Sequence, residues 1–199
     1  MIDEFAKEHL HDRLRRIREA LVWKLEGLSE YDARRPLVAS GTNLLGLVKH
    51  RAFSDARYLG EVFGRPFPDT VPLGSEPGAW ERNHWAEAHE TREDIVGLYR
   101  RVWRHTDETV NTLSIDAPGR VPWWPQPDVR LFNMMVHVLN ETTRHTGHAD
   151  ILREQLDGSV GKEPHSAPLH GHDPAYWADR YARIEQAAAQ AAEREPGPA

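Results

Sequence analysis

Apolar side chains recur every three to five residues over four long stretches of the chain, which is the spacing of amphipathic α-helices. We predict these helices over residues 3–28, 43–59, 91–113 and 129–156. The polar set Ser40-Gly41-Thr42 supplies a cap for the second helix. The third begins with Thr91 and Asp94 at capping-box spacing, and Gly158 is a stop signal after the fourth.

Two segments between the predicted helices are rich in glycine and proline and are predicted to be long loops, 60–90 and 116–128. The second holds the adjacent Trp123 and Trp124 between prolines. Asp173 and Pro174 form a cap and first-turn pair for a further helix that ends near Ala192. With no convincing strand pattern, we expect an all-α fold. It consists of a four-helix bundle over residues 1–158 and a C-terminal extension over 159–199 with one short helix and a frayed tail.

Composition narrows the function classes. The 199 residues suit one core, and 25 basic against 31 acidic residues give a net charge of −6, which argues against a nucleic-acid-binding protein. No apolar run approaches the length of a membrane span, and the polar N-terminal residues do not resemble a signal peptide, so a cytoplasmic protein is expected. The chain has no cysteine, so any metal must be bound by nitrogen and oxygen ligands.

Histidine is unusually abundant, with 12 in the chain, and the fourth helix carries the most informative group. His137, Glu141, His145 and His148 lie three or four residues apart and therefore project from one face. Because Met134, Val138 and Ile151 lie beside this line, we expect it to point inward or into a groove. Glu141 and His145 can reach one divalent ion, and His50 on a neighbouring second helix could complete an open, catalytic type of site.

Spacing alone leaves other interpretations open. Histidine pairs occur by chance on exposed helices, and a histidine in the middle of an apolar helix face, such as His50, is usually a core residue. Trp123 and Trp124 could roof a metal cleft or simply pack on the bundle. A short helical patch is interpreted as a cap on the bundle rather than a second metal site; it contains Trp80, His84, Trp85 and His89.

Three segments together resemble the DinB superfamily of four-helix metalloproteins, namely 42–50 (TNLLGLVKH), 58–67 (YLGEVFGRPF) and 137–154 (HVLNETTRHTGHADILRE). The resemblance spans about 1–158. Within the superfamily it is strongest to an uncharacterised branch related to mycothiol-dependent maleylpyruvate isomerase, which has Glu rather than His as the first ligand of the fourth helix. It implies that His50, Glu141 and His145 are the metal ligands. It also implies a substrate-facing role for His148, where many relatives have Gln.

The resemblance implies an enzyme of thiol chemistry in which the metal binds and activates the sulfur of an external thiol such as mycothiol. The thiolate then attacks a small electrophile. We expect zinc, although the donor set also suits Ni²⁺, Fe²⁺ or Mn²⁺. Arg144 and Arg153 bracket the histidine face and could hold a substrate carboxylate, although arginines on exposed helix faces more often pair with solvent. Trp123 and Trp124 are predicted to bind the cofactor or an apolar part of the substrate.

Isomerase relatives carry a further C-terminal domain that this sequence does not match, so transfer of the thiol is favoured over isomerisation. A metal-dependent hydrolase that uses bound water and a non-enzymatic metal-binding stress-response protein remain the alternatives. The expected partners are a small-molecule thiol and an electrophile, with no nucleic acid and no membrane, and the resemblance also allows a homodimer.

Overall fold

The computed structural model describes residues 4–69, 78–161, 163 and 173–193 and confirms the predicted all-α class. The α-helices of this part of the chain are α1 (Glu4–Trp23), α2 (Glu30–Arg34), α3 (Leu44–Tyr58), α4 (Ala79–Arg82), α5 (Arg92–Thr112), α6 (Leu131–Asp157) and α7 (Pro174–Ala192). A 3₁₀ turn covers Glu61–Phe63, and two short strands, β1 (Pro118–Arg120) and β2 (Asp128–Arg130), pair antiparallel. The four predicted long helices correspond to α1, α3, α5 and α6.

Several local expectations need correction. The first helix ends at Trp23 rather than residue 28, because the chain turns through Gly27, whose φ is +74°. Asn43 itself caps α3, its side chain accepting the Gly46 N–H at 2.8 Å. The apolar spacing did not predict α2, nor did it predict the hairpin, because strands of three residues are too short to show alternation. The capping box of Thr91 and Asp94 is confirmed.

Helix α3 occupies the centre of the bundle. It packs against α5 and α6, and α1 packs against the same two helices. Every residue of α3 from Leu44 to Ala56 is buried. One apolar cluster centres on Leu21, Leu45 and Tyr99, and a second, farther along the bundle, includes Leu59 and Met134. Side chains on α3 are therefore held in a fixed environment on all sides.

Charged groups lie inside this bundle as well. Asp55 on α3 is fully buried and accepts a hydrogen bond from Arg18 Nε of α1 at 2.9 Å. Its other oxygen accepts a bond from Arg51, which is also buried. Arg18 extends to α5, where it donates to Thr106 and Asp107, each at 3.1 Å. Three helices are thus joined by one charged network as well as by apolar contact.

The chain divides into two compact units, Met1–Glu163 and Pro164–Ala199. In the second unit, α7 begins where the sequence predicts, with the Asp173 side chain accepting the Tyr176 N–H at 2.8 Å. No residue of α7 is buried. Across the described residues, none of the helices has the length and apolar character needed to cross a membrane.

Candidate functional site

The histidine face of α6 lies against α3 in an antiparallel arrangement. The rings of His50 and His145 meet edge to face with centroids 5.0 Å apart. Tyr58 lies eight residues after His50 on α3, and His137 lies eight residues before His145 on α6. The ring centroids of Tyr58 and His137 are 4.5 Å apart. We call the surface bordered by these four side chains the α3–α6 groove. Glu141 lies in it, between His137 and His145 on α6.

The three predicted metal ligands lie at one end of the α3–α6 groove. His145 Nε2 is 3.7 Å from Glu141 Oε2, and the His50 ring lies beside the His145 ring. The Nδ1 atom of His145 is buried and has no hydrogen-bond partner among the described residues. Nevertheless, no group of three or more His, Cys, Asp or Glu side chains in the described ranges is arranged to hold a metal ion. The three side chains lie near one another but do not converge on a single point, so the metal centre remains a prediction.

Burial keeps the imidazoles of the groove neutral. It lowers the pKa of His50 to about 2, helped by the positive charge of Arg51 next in sequence. Burial also lowers the pKa of His145 to about 4, again with Arg51 contributing. For His137, burial lowers the pKa against the opposing charge of Glu141. Neutral imidazole is the form that donates a lone pair to a metal, so these histidines need not lose a proton to become ligands near pH 7.

The sequence assigns His84 to a cap on the bundle, but the structure places it beside His50 in the candidate site. Its ring stacks on that of His50 with centroids 4.4 Å apart and an interplanar angle of 22°. The segment that carries it touches α3 directly at Gly46, where a Cβ atom would lie 2.0 Å from the His84 carbonyl oxygen. The signal was a glycine within an otherwise apolar helix, which can mark a close backbone approach.

Lysine and arginine contacts hold the segment from His84 to Glu90 in place. Lys49 of α3 donates to the Trp85 carbonyl at 3.1 Å and pairs with Glu90 at 2.6 Å. Arg34 of α2 donates to the carbonyls of Glu87 and Glu90. The segment from His84 to Glu90 is therefore packed and hydrogen-bonded as part of the bundle. The side chain of Trp80, in the same predicted patch, lies outside the described part of the structure.

The remaining polar residues predicted on α6 have different surroundings. His148 is exposed, and its ring centroid is 5.6 Å from that of His145. Arg144 is exposed, and its charge helps to lower the pKa of His145. Ile151 is 58% exposed, so the expectation that it marks a buried face is wrong, whereas Met134 and Val138 are fully buried. The histidine line therefore borders a groove open to solvent rather than a sealed interior.

The tryptophan pair lies at the other end of the α3–α6 groove. Trp124 contacts His137 and Tyr58, with ring centroids 5.0 and 5.9 Å apart. The Arg57 guanidinium lies 3.5 Å over the Trp123 ring. Since His137 and His145 are two helical turns apart, this aromatic end is separated from His145 by about 12 Å along the axis. Among the ring contacts of the described residues, the pair meets Tyr58 and His137 but neither His50 nor His145.

A cavity of about 460 Å³ opens beside His145, at the N-terminal end of α3. Its lining consists of Ser40, Gly41, Thr42, Asn43, Gly46, Leu47, Glu81, His84, Trp85, His145 and His148. A larger hollow of about 910 Å³ lies between the end of α1, α2 and the start of α5 and contains none of the predicted site residues. Arg34 and Arg92 at its border donate to main-chain carbonyls, so that hollow is interpreted as a structural junction.

Comparison with curated proteins yields no match. A family model described as Mycothiol-S-transferase matches residues 9–158, a span that contains His50, Glu141 and His145. The match covers well over half of the chain, from the first turns of α1 to the end of α6. It extends over both helices that form the groove. The chain therefore belongs to the mycothiol S-transferase family, which lies within the DinB-like superfamily.

Proposed function

We propose that this protein is a metal-dependent mycothiol S-transferase that joins the thiol to a small electrophile. His50, Glu141 and His145 would hold the ion. The observation that carries the proposal is the meeting of His50 and His145, from two different helices, beside Glu141 and an adjacent cavity. Membership of the mycothiol S-transferase family supports the choice of thiol and reaction.

The donor chemistry fits a divalent ion. Two neutral imidazoles and one carboxylate suit Zn²⁺, Ni²⁺, Fe²⁺ or Mn²⁺, and we expect zinc. The Nε2 atom of His145 lies 3.7 Å from Glu141 Oε2, so this nitrogen and the carboxylate could hold one ion together. When bound, the ion would favour thiolate over thiol and so supply a nucleophile. The chain has no cysteine, so the sulfur must come from a co-substrate.

The chain's own residues would prepare and orient the reactants. Burial holds His50 and His145 neutral, so both imidazoles could accept an ion without first losing a proton. Exposed His148 lines the cavity and could face an incoming substrate. Exposed Arg144, next to His145 in sequence, is suited to a substrate carboxylate. With chlorodinitrobenzene as electrophile, a carbon–sulfur bond forms, the carbon–chlorine bond breaks, chloride leaves and the thiol proton goes to solvent.

The proposal is tested by elemental analysis of the purified protein and by turnover of mycothiol with chlorodinitrobenzene. We expect about one ion per chain in the wild type. The His145→Ala variant should lose the ion and more than about 100-fold in kcat/KM, because it removes a ligand rather than an outer contact. His89→Ala is the matched control, since this histidine is exposed on the neighbouring segment and should change neither quantity. Far-UV circular dichroism confirms that both variants fold.

Three outcomes would contradict the proposal. Full turnover after complete chelation would remove the metal from the mechanism. Cleavage of a test ester without any thiol turnover would favour a hydrolase that uses bound water. A large fall in melting temperature on chelation, with no turnover of any kind, would favour a structural ion in a non-enzymatic protein.

A further inference from the structure

One ring face of His50, the predicted metal ligand on α3, is covered by the imidazole of His84. The two ring centroids are 4.4 Å apart, and the ring planes are only 22° from parallel. Resting on the proposed function, we propose that His84 is a positioning residue whose ring holds the His50 imidazole in the orientation that metal binding requires. His84 itself does not bind the ion.

The geometry of the two rings favours stacking over ligation for His84. An imidazole donates to a metal through a nitrogen lone pair, which lies in the ring plane. Because the rings of His84 and His50 are stacked, their lone pairs do not converge on one ion about 2 Å from each nitrogen. The planes of His50 and His145 are 79° apart, with centroids 5.0 Å apart, so these two rings can approach one ion from different directions.

The orientation of the His50 ring has to be selected by its surroundings. The terminal torsion of a histidine side chain is broad and roughly two-fold, so the side chain alone does not fix the direction of its lone pair. His50 is 4% exposed, and its Nε2 atom lies 3.4 Å from Ser54 Oγ, one turn farther along α3. Ser54 thus contacts the ring edge while His84 covers the ring face. A ring that is fixed before the ion arrives loses less entropy on binding.

Backbone contacts with α3 hold His84 where this stack needs it. The His84 carbonyl lies against Gly46, where a Cβ atom would be only 2.0 Å from the carbonyl oxygen. Lys49 donates to the carbonyl of the next residue, Trp85, at 3.1 Å. The segment is therefore fixed to α3 at two positions within one turn before His50. The ring of His84 is held by the fold rather than by the ion.

The test measures the zinc affinity of the full chain at pH 7 by competition with a chromophoric chelator. His84→Ala should raise the Kd for zinc about 10- to 100-fold, the usual effect of removing the partner that orients a metal ligand. His84→Phe keeps a flat ring without a nitrogen donor, and its Kd should stay within about threefold of the wild-type value. His89→Ala removes an exposed imidazole from the same segment and should not change the Kd.

Cobalt gives a spectroscopic test of the ligand set. The visible absorption bands of bound Co²⁺ depend on the number and kind of its ligands. At saturating Co²⁺, His84→Ala should show the same band positions as the wild type, because no ligand has been removed. His145→Ala, which removes a proposed ligand, should shift the bands or abolish them.

Gly46→Ala tests the same contact through the backbone. The added methyl group displaces the His84 carbonyl and should raise the Kd for zinc although every imidazole is still present. The double variant with His84→Ala should bind zinc about as weakly as the weaker single variant, because both changes remove one stack. Gly147→Ala is the matched control, since a Cβ there meets nothing within 4 Å, and it should keep the wild-type Kd. Far-UV circular dichroism confirms that each variant folds.

The inference is overturned if His84→Ala keeps the wild-type Kd for zinc, or if His84→Phe loses as much affinity as His84→Ala. It is also overturned if His84→Ala shifts the cobalt bands, since His84 would then be a ligand. In each case the proposed function stands, provided that the wild type binds zinc through His145 and turns over mycothiol. A wild type that binds no zinc would overturn the proposed function, and the inference with it.

Discussion

Gly46 shows how one missing methyl group brings a residue into the candidate site. A Cβ at this position would lie 2.0 Å from the carbonyl oxygen of His84 and 2.8 Å from its carbonyl carbon, and backbone atoms cannot rotate away. Gly147 on α6 is the opposite case, because a Cβ there would meet nothing within 4 Å. The same substitution should therefore have opposite effects at the two positions.

Gly46→Ala should lower the free energy of unfolding by about 2 kcal/mol or more, since the segment carrying His84 must move off α3. Gly147→Ala should raise it by about 0.5–1 kcal/mol, because alanine is the better helix former at a site with free space. Urea denaturation followed by circular dichroism measures both. Equal stability of Gly46→Ala and the wild type would show that His84 is not held against α3 in this way.

At the residue scale, the sequence predicts some members of the site and not others for a physical reason. Glu141 and His145 share one helix, so helical geometry alone predicts that they are neighbours. His84 meets His50 from a different segment, through a backbone contact that no periodicity encodes. Arg153 likewise does not pair with solvent; it is buried and donates to the main chain of Lys24 and Glu26.

At the element scale, the buried charges decide how α1, α3 and α5 are fixed together. Asp55 is fully buried between Arg18 of α1 and Arg51 of its own helix, and both of its oxygens are engaged. Asp107 of α5 also binds Arg18, but it lies partly at the surface and has His11 and Arg15 as further partners. Removing the charge of Asp55 leaves the buried guanidinium groups of Arg18 and Arg51 without the carboxylate that balances their positive charge.

Asp55→Asn should therefore lower the free energy of unfolding by about 3–5 kcal/mol, the usual effect of breaking a buried ion pair from one side. Asp107→Asn is the matched control, and its loss should be clearly smaller because solvent can replace part of the interaction. Chemical denaturation of the two variants beside the wild type gives the comparison. Similar losses of unfolding free energy in both variants would show that the stabilisation by this network is not concentrated at Asp55.

Element boundaries were predictable where an amphipathic stripe or a capping pair defines them. α5 begins directly after the capping-box residue Thr91, and α6 ends just before Gly158, whose φ is +74°. Neither α2 nor the hairpin could be predicted in this way, since five and three residues respectively are too few to establish a period. The buried Arg18 and Asp55 were also missed, because a charged side chain normally indicates an exposed face.

At the scale of the whole molecule, the groove results from the pairing of α3 with α6 along their length. Periodicity predicts each helix but does not say which pairs are neighbours, so the meeting of His50 and His145 depended on the family resemblance. The match over residues 9–158 confirms the superfamily. The sequence left open whether Trp123 and Trp124 roof the cleft or pack on the bundle. Trp124 contacts His137, and the position of the pair follows from the hairpin that the sequence did not reveal.

The buried neutral histidines also predict how the stability of the whole chain depends on pH. Their pKa values are lowered by burial, to about 2 for His50 and about 4 for His145, whereas the unfolded chain titrates near 6.5. Below pH 6.5 the unfolded state therefore binds protons that the folded state does not, and stability falls as the pH falls. Asp107, whose pKa is lowered by its His11 and arginine partners in spite of burial, adds a loss only below about pH 4.

Between pH 6.5 and 5, the metal-free protein should thus lose stability with a slope of up to about 1.4 kcal/mol per pH unit from His50 alone. Urea midpoints at pH 7, 6 and 5 in the presence of a chelator measure the slope. His50→Gln should reduce the slope without abolishing it, because glutamine does not titrate but His145 still does. Exposed His89→Gln should leave the slope as in the wild type. A wild-type midpoint that is constant from pH 7 to 5 would mean that water reaches these imidazoles in the folded protein. The groove would then lack the buried, neutral nitrogen donors on which the proposed metal centre depends.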